Sequence, residues 1–306
     1  SGSDHILSVK AYDFAGNKKE LTYQSGNKAQ YEYDDSGRLQ KVRDWNSKET
    51  EYVYDDIGNL KQVNLPNALS SYYEYNKANQ LKSIVHKKSG GEEIVSFIYD
   101  LDKTGNRIAL TDNGQKTQYK YDELYQLKEV QLPDSSIVKY DYDDFGNRKL
   151  KDATPSAILN YEYDKADRLK KVNGENIDWD KNGNLKKKGP MEYDFNADDR
   201  LIKVASDGAT LSEFTYDALG LRRSKKTDTK ELKYIVDYNM AYPSVMEENS
   251  GGTTRNYIYG LNLIADKTSS GERYYLSDGL GSTRYLVNTD GATIASYKYD
   301  EFGNLL

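Results

Sequence analysis

The residues with the most chemical promise in this 306-residue sequence are its aspartates, because many of them have Gly, Asn or Arg close behind. Asp178-Trp179-Asp180-Lys181-Asn182-Gly183-Asn184 matches the first half of a calcium loop, and Asp100-Leu101-Asp102-Lys103-Thr104-Gly105 is a poorer match. Such a loop needs a bidentate Glu at its twelfth position, and those positions hold Gly189 and Thr111. Both stretches are therefore expected to be turns, with no metal and no cofactor. Paired carboxylates could also act as acid and base in hydrolysis. A catalytic pair is unique to one place, however, and these aspartates recur along the chain as turn residues do. No catalytic residue is assigned, and the chain is not expected to be an enzyme.

Composition narrows the remaining chemistry. There is no cysteine, which excludes a disulfide framework, a thiolate metal site and a cysteine nucleophile. Two histidines, His5 and His86, leave little room for a Ser-His-Asp triad or a multi-histidine metal site, and both are expected to be solvent-facing or incidental. The formal net charge is −6, with 43 basic and 49 acidic residues well mixed, which argues against nucleic acid as a partner. The basic runs Lys186-Lys187-Lys188 and Arg222-Arg223-Ser224-Lys225-Lys226 read as solvated strand ends. No apolar run is long enough for a membrane-spanning helix. Ser1-Gly2-Ser3 reads as an expression remnant, so the natural N-terminus is expected to lie upstream.

The elements that hold the aspartates come from an internal repeat. The chain reads YEYDDSGRLQKV from Tyr31, YVYDDIGNLKQV from Tyr52, YKYDELYQLKEV from Tyr119, YDYDDFGNRKL from Tyr140 and YEYDKADRLKKV from Tyr161, with further copies up to a final YKYDEFGNLL. The anchor tyrosines Tyr12, Tyr33, Tyr54 and Tyr75 are 21 residues apart, a spacing that Tyr121, Tyr142 and Tyr163 repeat. The period then shortens, with Trp179 and Tyr193 as anchors, and lengthens again after Tyr216. The repeat motif is carried by Tyr33, Asp34 and Gly37; by Tyr54, Asp55 and Gly58; by Tyr142, Asp143 and Gly146; by Tyr216, Asp217 and Gly220; and by Tyr299, Asp300 and Gly303.

Each unit reads as strand, turn, strand. Tyr31 and Tyr33 flank Glu32, so the two rings share one face of a strand. Asp34-Asp35-Ser36-Gly37 has Asp first and Gly fourth, where a positive φ is often needed. Asn79 and Asp167 replace the Gly with residues that tolerate that conformation, whereas Tyr125 fits the rule poorly. After the turn, Leu39 and Val42 are three apart, as are Leu60 and Val63. A strict strand would put them on opposite faces, so either a bulge intervenes or both faces are partly covered. About a dozen such hairpins give roughly 24 strands, more than an open twisted sheet holds without curling. The fold class is all-β: tandem hairpins forming one long curled or spiralling antiparallel sheet, too wide for its own side chains to fill.

Tyrosine supplies the core. Leu, Ile, Val and Phe make up only about a fifth of the chain, and 29 tyrosines offset the shortfall, since each ring can be buried with its hydroxyl bonded. A thin wall lined by tyrosine rows is expected. Stacked rings could alternatively meet a ligand, and Trp45 is the better candidate for an exposed ring than Trp179. From about Leu232 the repeat loosens. Asp278-Gly279-Leu280-Gly281-Ser282-Thr283-Arg284 is the least repeat-like piece; Gly279 and Gly281 imply a tight backbone path, and Arg284 could pair with a carboxylate.

The Y-x-Y-D-x-x-G-N/R-L units resemble the YD repeats of the RHS family, and Tyr274 to Asn304 resembles the start of that family's RHS-associated core region. This resemblance implies a β-sheet spiralling into a hollow shell that encloses a C-terminal toxin of the same polypeptide. It also implies secretion or display at a bacterial surface and a role in interbacterial competition. The family's core region commonly carries an aspartate-dependent self-cleavage site further downstream than YDEFGN, after which this sequence stops at Leu306. The expected division is 1–10 as a remnant or N-terminal edge, 11–231 as YD-repeat sheet, and 232–306 as the start of the core region. The alternative reading is a cell-surface adhesion or carbohydrate-binding module with glycans as partners. Neither reading fixes the oligomeric state.

Overall fold

The structure is a computed structural model, which describes residues 8–238 and 242–306. His5 and most of the 1–10 segment lie outside the described residues. The chain is all-β: 29 strands, from β1 (Ser8–Tyr12) to β29 (Thr293–Ser296), with no helix among the described residues. None of its elements is a helix long and apolar enough to cross a membrane. Hairpin follows hairpin, and strands pair antiparallel with their neighbours in sequence.

The first well-defined repeat shows how the sequence produces this. In β3 (Lys28–Tyr33) exposed and buried residues alternate, with Ala29 and Tyr31 inward, as a half-buried strand requires. It pairs with β4 (Leu39–Arg43), where Glu32 faces Lys41 and Tyr33 faces Leu39. Gln40 is thus the extra residue of a bulge. The bulge puts Leu39 and Val42 on the same inward face, both buried, and settles the three-residue spacing in favour of the first alternative. The same register shift falls beside Tyr54, Tyr75, Tyr121, Tyr142, Tyr163 and Tyr216.

Two compact units are present. The first joins Ser1–Ile98 to Lys233–Leu306, and the second is Tyr99–Leu232. Within the first unit two layers face each other, one from β1 to β8 (Leu81–Lys88), the other from β24 (Ser244–Ser250) to β28 (Thr283–Val287). Leu21, Tyr23, Tyr31, Val42 and Tyr52 of the first layer form one buried cluster with Met246, Ile258, Ile264, Tyr274 and Leu276 of the second. This differs from the expected thin wall: here the inward faces of two layers fill the space between them. The repeat gives no sign of this pairing of layers, because the residues that meet lie far apart along the chain. In the second unit Tyr119, Val130, Val138 and Tyr140 form a smaller cluster. Beyond it, β15 (Ala157–Tyr163) and β21 (Ala209–Tyr216) alternate exposed with half-buried residues, closer to the expected tyrosine-lined wall.

Candidate functional site

The recurring constellation is the YD turn. In Asp34–Arg38 the backbone closes twice: Asp34 N donates to Arg38 O at 2.9 Å and Gly37 N to Asp34 O at 2.9 Å. The Asp34 carboxylate then takes every donor the turn offers. Its Oδ1 accepts from the backbone N–H of Ser36 at 3.0 Å and of Arg38 at 2.9 Å, and its Oδ2 accepts from Arg38 Nε at 2.7 Å. Asp55, Asp143 and Asp300 make the same turn with Asn59, Asn147 and Asn304 in place of Arg38. This explains the Asn-or-Arg position of the motif, since either side chain reaches back to the second carboxylate oxygen. Asp217 takes the two backbone donors from Leu219 and Leu221. Gly37, Gly58, Gly146, Gly220 and Gly303 all have a positive φ, as do Asn79, Asp167 and Tyr125 at the equivalent place.

These contacts decide the chemistry of the aspartates. The backbone N–H of Arg38, foremost among several donors, holds the Asp34 carboxyl below its usual range. The Asn106 and Thr104 side chains draw Asp102 down to about 2. Such groups are ionised, saturated acceptors and have no proton to give. Asp180, central to the calcium-like stretch, accepts from Asn182 N, Asn184 N and Asn184 Nδ2, the bonds of the repeat turn.

The anchor tyrosine has a second task. Tyr33 Oη donates to Lys18 O at 3.1 Å, Tyr54 to Leu39 O at 2.8 Å, Tyr75 to Leu60 O at 3.0 Å, Tyr142 to Leu127 O at 2.9 Å, Tyr163 to Arg148 O at 2.9 Å and Tyr216 to Leu201 O at 2.7 Å. Each acceptor lies 15 residues upstream, in the preceding hairpin, so each unit clasps the one before it. Tyr299 does the same to Thr283 O at 3.2 Å. Trp179 substitutes its indole N–H, which donates to Leu169 O at 2.7 Å. The next anchor is Phe195 rather than Tyr193, because the turn opens at Asn196, which bonds to Arg200 and Asp198. With Phe195 in place, the step to Tyr216 returns to 21 residues. Arginines pack on the aromatic faces: Arg38 lies 4.5 Å from the Tyr54 ring centre and Arg107 4.6 Å from that of Tyr119.

The core-region motif proves to be the same turn. Asp278 N donates to Ser282 O at 3.1 Å, Gly281 has φ 79°, and Asp278 Oδ1 accepts from Leu280 N and Ser282 N. Gly279 sits at the second turn position. Arg284 is buried; its guanidinium bonds Asp278 Oδ2 at 3.1 Å and Tyr297 O at 2.9 Å and covers the Phe97 ring at 4.9 Å.

Three features escaped the sequence. His86, expected at the surface, is 2% exposed. Its Nε2–H donates to Ser277 O at 3.1 Å and its Nδ1 accepts from Ser71 Oγ at 2.7 Å, linking the two layers of the first unit. Burial holds its pKa down at about 4. Trp45 is not an exposed ring either: it packs edge-on to Tyr23 at 5.0 Å, with Lys267 Nζ 5.4 Å from its centre. The third is a buried cluster of Asp44, Lys267 and Glu272, whose partners are too far apart in sequence to suggest one another. In the second unit, where several strands have only four or five residues, Trp179 and Tyr193 line an open depression of about 690 Å³ together with Arg168, Lys170 and Asp194.

Comparison with known proteins agrees with this geometry. The family model described as the teneurin YD-shell matches residues 95–306. A tRNA3(Ser)-specific nuclease WapA of Bacillus spizizenii is 30% identical over 141 residues, which is 45% of this chain and 6% of that protein. Teneurin-3 of Danio rerio is 28% identical over 148 residues, 45% of this chain and 5% of the relative. Among solved structures, the TcdB2-TccC3-TEV and TcdB2-TccC3-Cdc42 proteins superpose with TM-scores of 0.77 and 0.76 at 16% identity, each over 99% of this chain and 18% of theirs. The chain thus spans a small part of the proteins it matches.

Proposed function

The chain belongs to the teneurin YD-shell family, and on that premise we propose that it is a wall segment of an RHS-type toxin shell, secreted or displayed by a bacterium. The wall would hold a C-terminal toxin of the same polypeptide away from the producing cell until delivery. The observation that carries this reading is the repeated clasp. Anchor hydroxyls are consumed in joining one hairpin to the next and turn carboxylates in closing each turn, which suits an extendable, inert wall. The nuclease named for the WapA relatives is not assigned to this segment. Residues 11–231 are proposed as the repeat wall and 232–306 as the start of the core region.

Protease protection tests the reading. A reporter domain fused after Leu306 should resist digestion longer than the same reporter alone. Equal digestion rates would count against enclosure by this segment. A second reading, saccharide binding, rests on the Trp179–Tyr193 depression, where aromatic faces and mixed charges meet. Saturable binding on a glycan array, abolished by Trp179→Ala, would favour it.

A further inference from the structure

In the first unit a lysine and an aspartate are buried against each other with a glutamate beside them. Lys267 on β26 (Leu263–Thr268) has its side chain 5% exposed and contacts Asp44 Oδ2, whose side chain is 4% exposed. Glu272 on β27 (Gly271–Ser277) places Oε1 3.0 Å from Lys267 Nζ. Its other oxygen, Oε2, accepts from Lys48 Nζ at 2.8 Å and from the Tyr274 hydroxyl at 2.9 Å. Trp45 and Tyr274 wall the cluster with aromatic surface. Asp44 is itself a turn aspartate, so its Oδ1 accepts from Asn46 N at 2.7 Å and Lys48 N at 3.0 Å.

We propose that Lys267 and Asp44 join in a self-catalysed amide bond, with Glu272 as the catalytic proton carrier. The contact between Nζ and Oδ2 gives the pair a direct path for a proton. One proton passes from the Nζ ammonium to Asp44 Oδ2, leaving a free amine against a carboxylic acid. The Nζ lone pair attacks Cγ, and the charge develops on Oδ1, where two backbone N–H groups already point, as in an oxyanion hole. Glu272 takes a proton from the attacking nitrogen and delivers it to Oδ2. The Cγ–Oδ2 bond breaks, water leaves, and Glu272 ends as it began. The ammonium and carboxylate become one amide plus one water, with no oxidant, reductant or cofactor. The bond would staple a turn of the first layer to a strand of the second, 223 residues along the chain.

Intact-mass measurement of the denatured protein tests this directly. The expected result is a mass lower than the sequence mass by one water, with a branched peptide joining the stretch around Asp44 to that around Lys267. A chain at its full sequence mass overturns the proposal. Water can also be lost at Asp278-Gly279 or Asp290-Gly291, so Lys267→Arg is the control: it should restore the full mass, and a persistent loss of water overturns the proposal. Glu272→Gln should leave most of the chain unlinked; complete linkage in that variant overturns the assignment of Glu272.

Discussion

At the scale of single residues, the YD motif is an inventory of donors and acceptors in which each side chain has one assignment. Tyrosine differs from phenylalanine at the anchor because its hydroxyl reaches the preceding hairpin, a bond that Phe195 forgoes. Tyr54→Phe keeps the ring under Arg38 and removes only the bond to Leu39 O. A loss of about 1 kcal/mol in chemical denaturation is expected, the net worth of one such bond. Glycine is required for two different reasons. At Gly37 an added Cβ meets nothing within 4 Å but φ is +76°, so Gly37→Ala should cost about 1 kcal/mol from the backbone alone. At Gly260 the conformation is ordinary, but a Cβ would run into the Tyr52 hydroxyl and ring. Gly260→Ala should therefore cost about 1–3 kcal/mol through overpacking. Adding Tyr52→Phe should recover part of that loss at Gly260 and none of the loss at Gly37, which a double-mutant cycle would read.

At the scale of elements, the hairpin was legible in the sequence and its surroundings were not. Tyr33, Asp34 and Gly37 announce a strand end, a turn opener and a left-handed position through residue type and spacing alone, all of which are local. The spacing of Leu39 and Val42 announced a departure from a simple strand, and the structure resolves it as a bulge at Gln40. The anchor at Phe195 was misplaced because Tyr193-Asp194 imitates the motif two residues early. The clasp could not be read, because its acceptor is a backbone carbonyl and carries no residue signature. His86 and Lys267 were illegible for a deeper reason: their partners Ser277 and Asp44 lie 191 and 223 residues away and meet only once two layers pack. A costly element is the hairpin at Asp122, where Tyr125 occupies the left-handed position at φ 61°. The residue is 63% exposed, so packing does not repay the backbone cost. Tyr125→Asn should stabilise this hairpin by about 0.5–1 kcal/mol, since Asn adopts that conformation more readily. A lower thermal midpoint in that variant would show that the exposed ring contributes more than the strain.

At the scale of the whole molecule, a core built from tyrosine and a buried histidine makes stability depend on pH at both ends. On the acid side, His86 holds a pKa of about 4 in the folded state against an ordinary 6.5. Below pH 6.5 the unfolded chain binds a proton that the folded chain refuses, so stability falls as the pH drops from 6.5 towards 4. At about 1.36 kcal/mol per pKa unit, this single group accounts for roughly 3 kcal/mol as an upper bound. His86→Asn should flatten that acid limb even if it lowers stability at neutral pH; an unchanged slope would show that carboxylates alone set the acid limit. The alkaline side has the opposite sign. Burial pushes Tyr73 and Tyr257 up to about 12, and Tyr31, Tyr52, Tyr274 and Tyr275 higher still, all in the first unit. Above pH 10 the unfolded chain gives up phenolic protons that the folded chain retains. The folded state then binds more protons, and stability declines with every step from pH 10 towards 12. Because several rings share one packed interior, their ionisation should be cooperative with its unfolding. Tyrosinate absorbance from these buried rings is expected to rise in a steep step above pH 10 that coincides with loss of the β-sheet circular dichroism signal. A single smooth titration near pH 10 with the sheet signal intact would mean that the layers of the first unit admit water to their tyrosines.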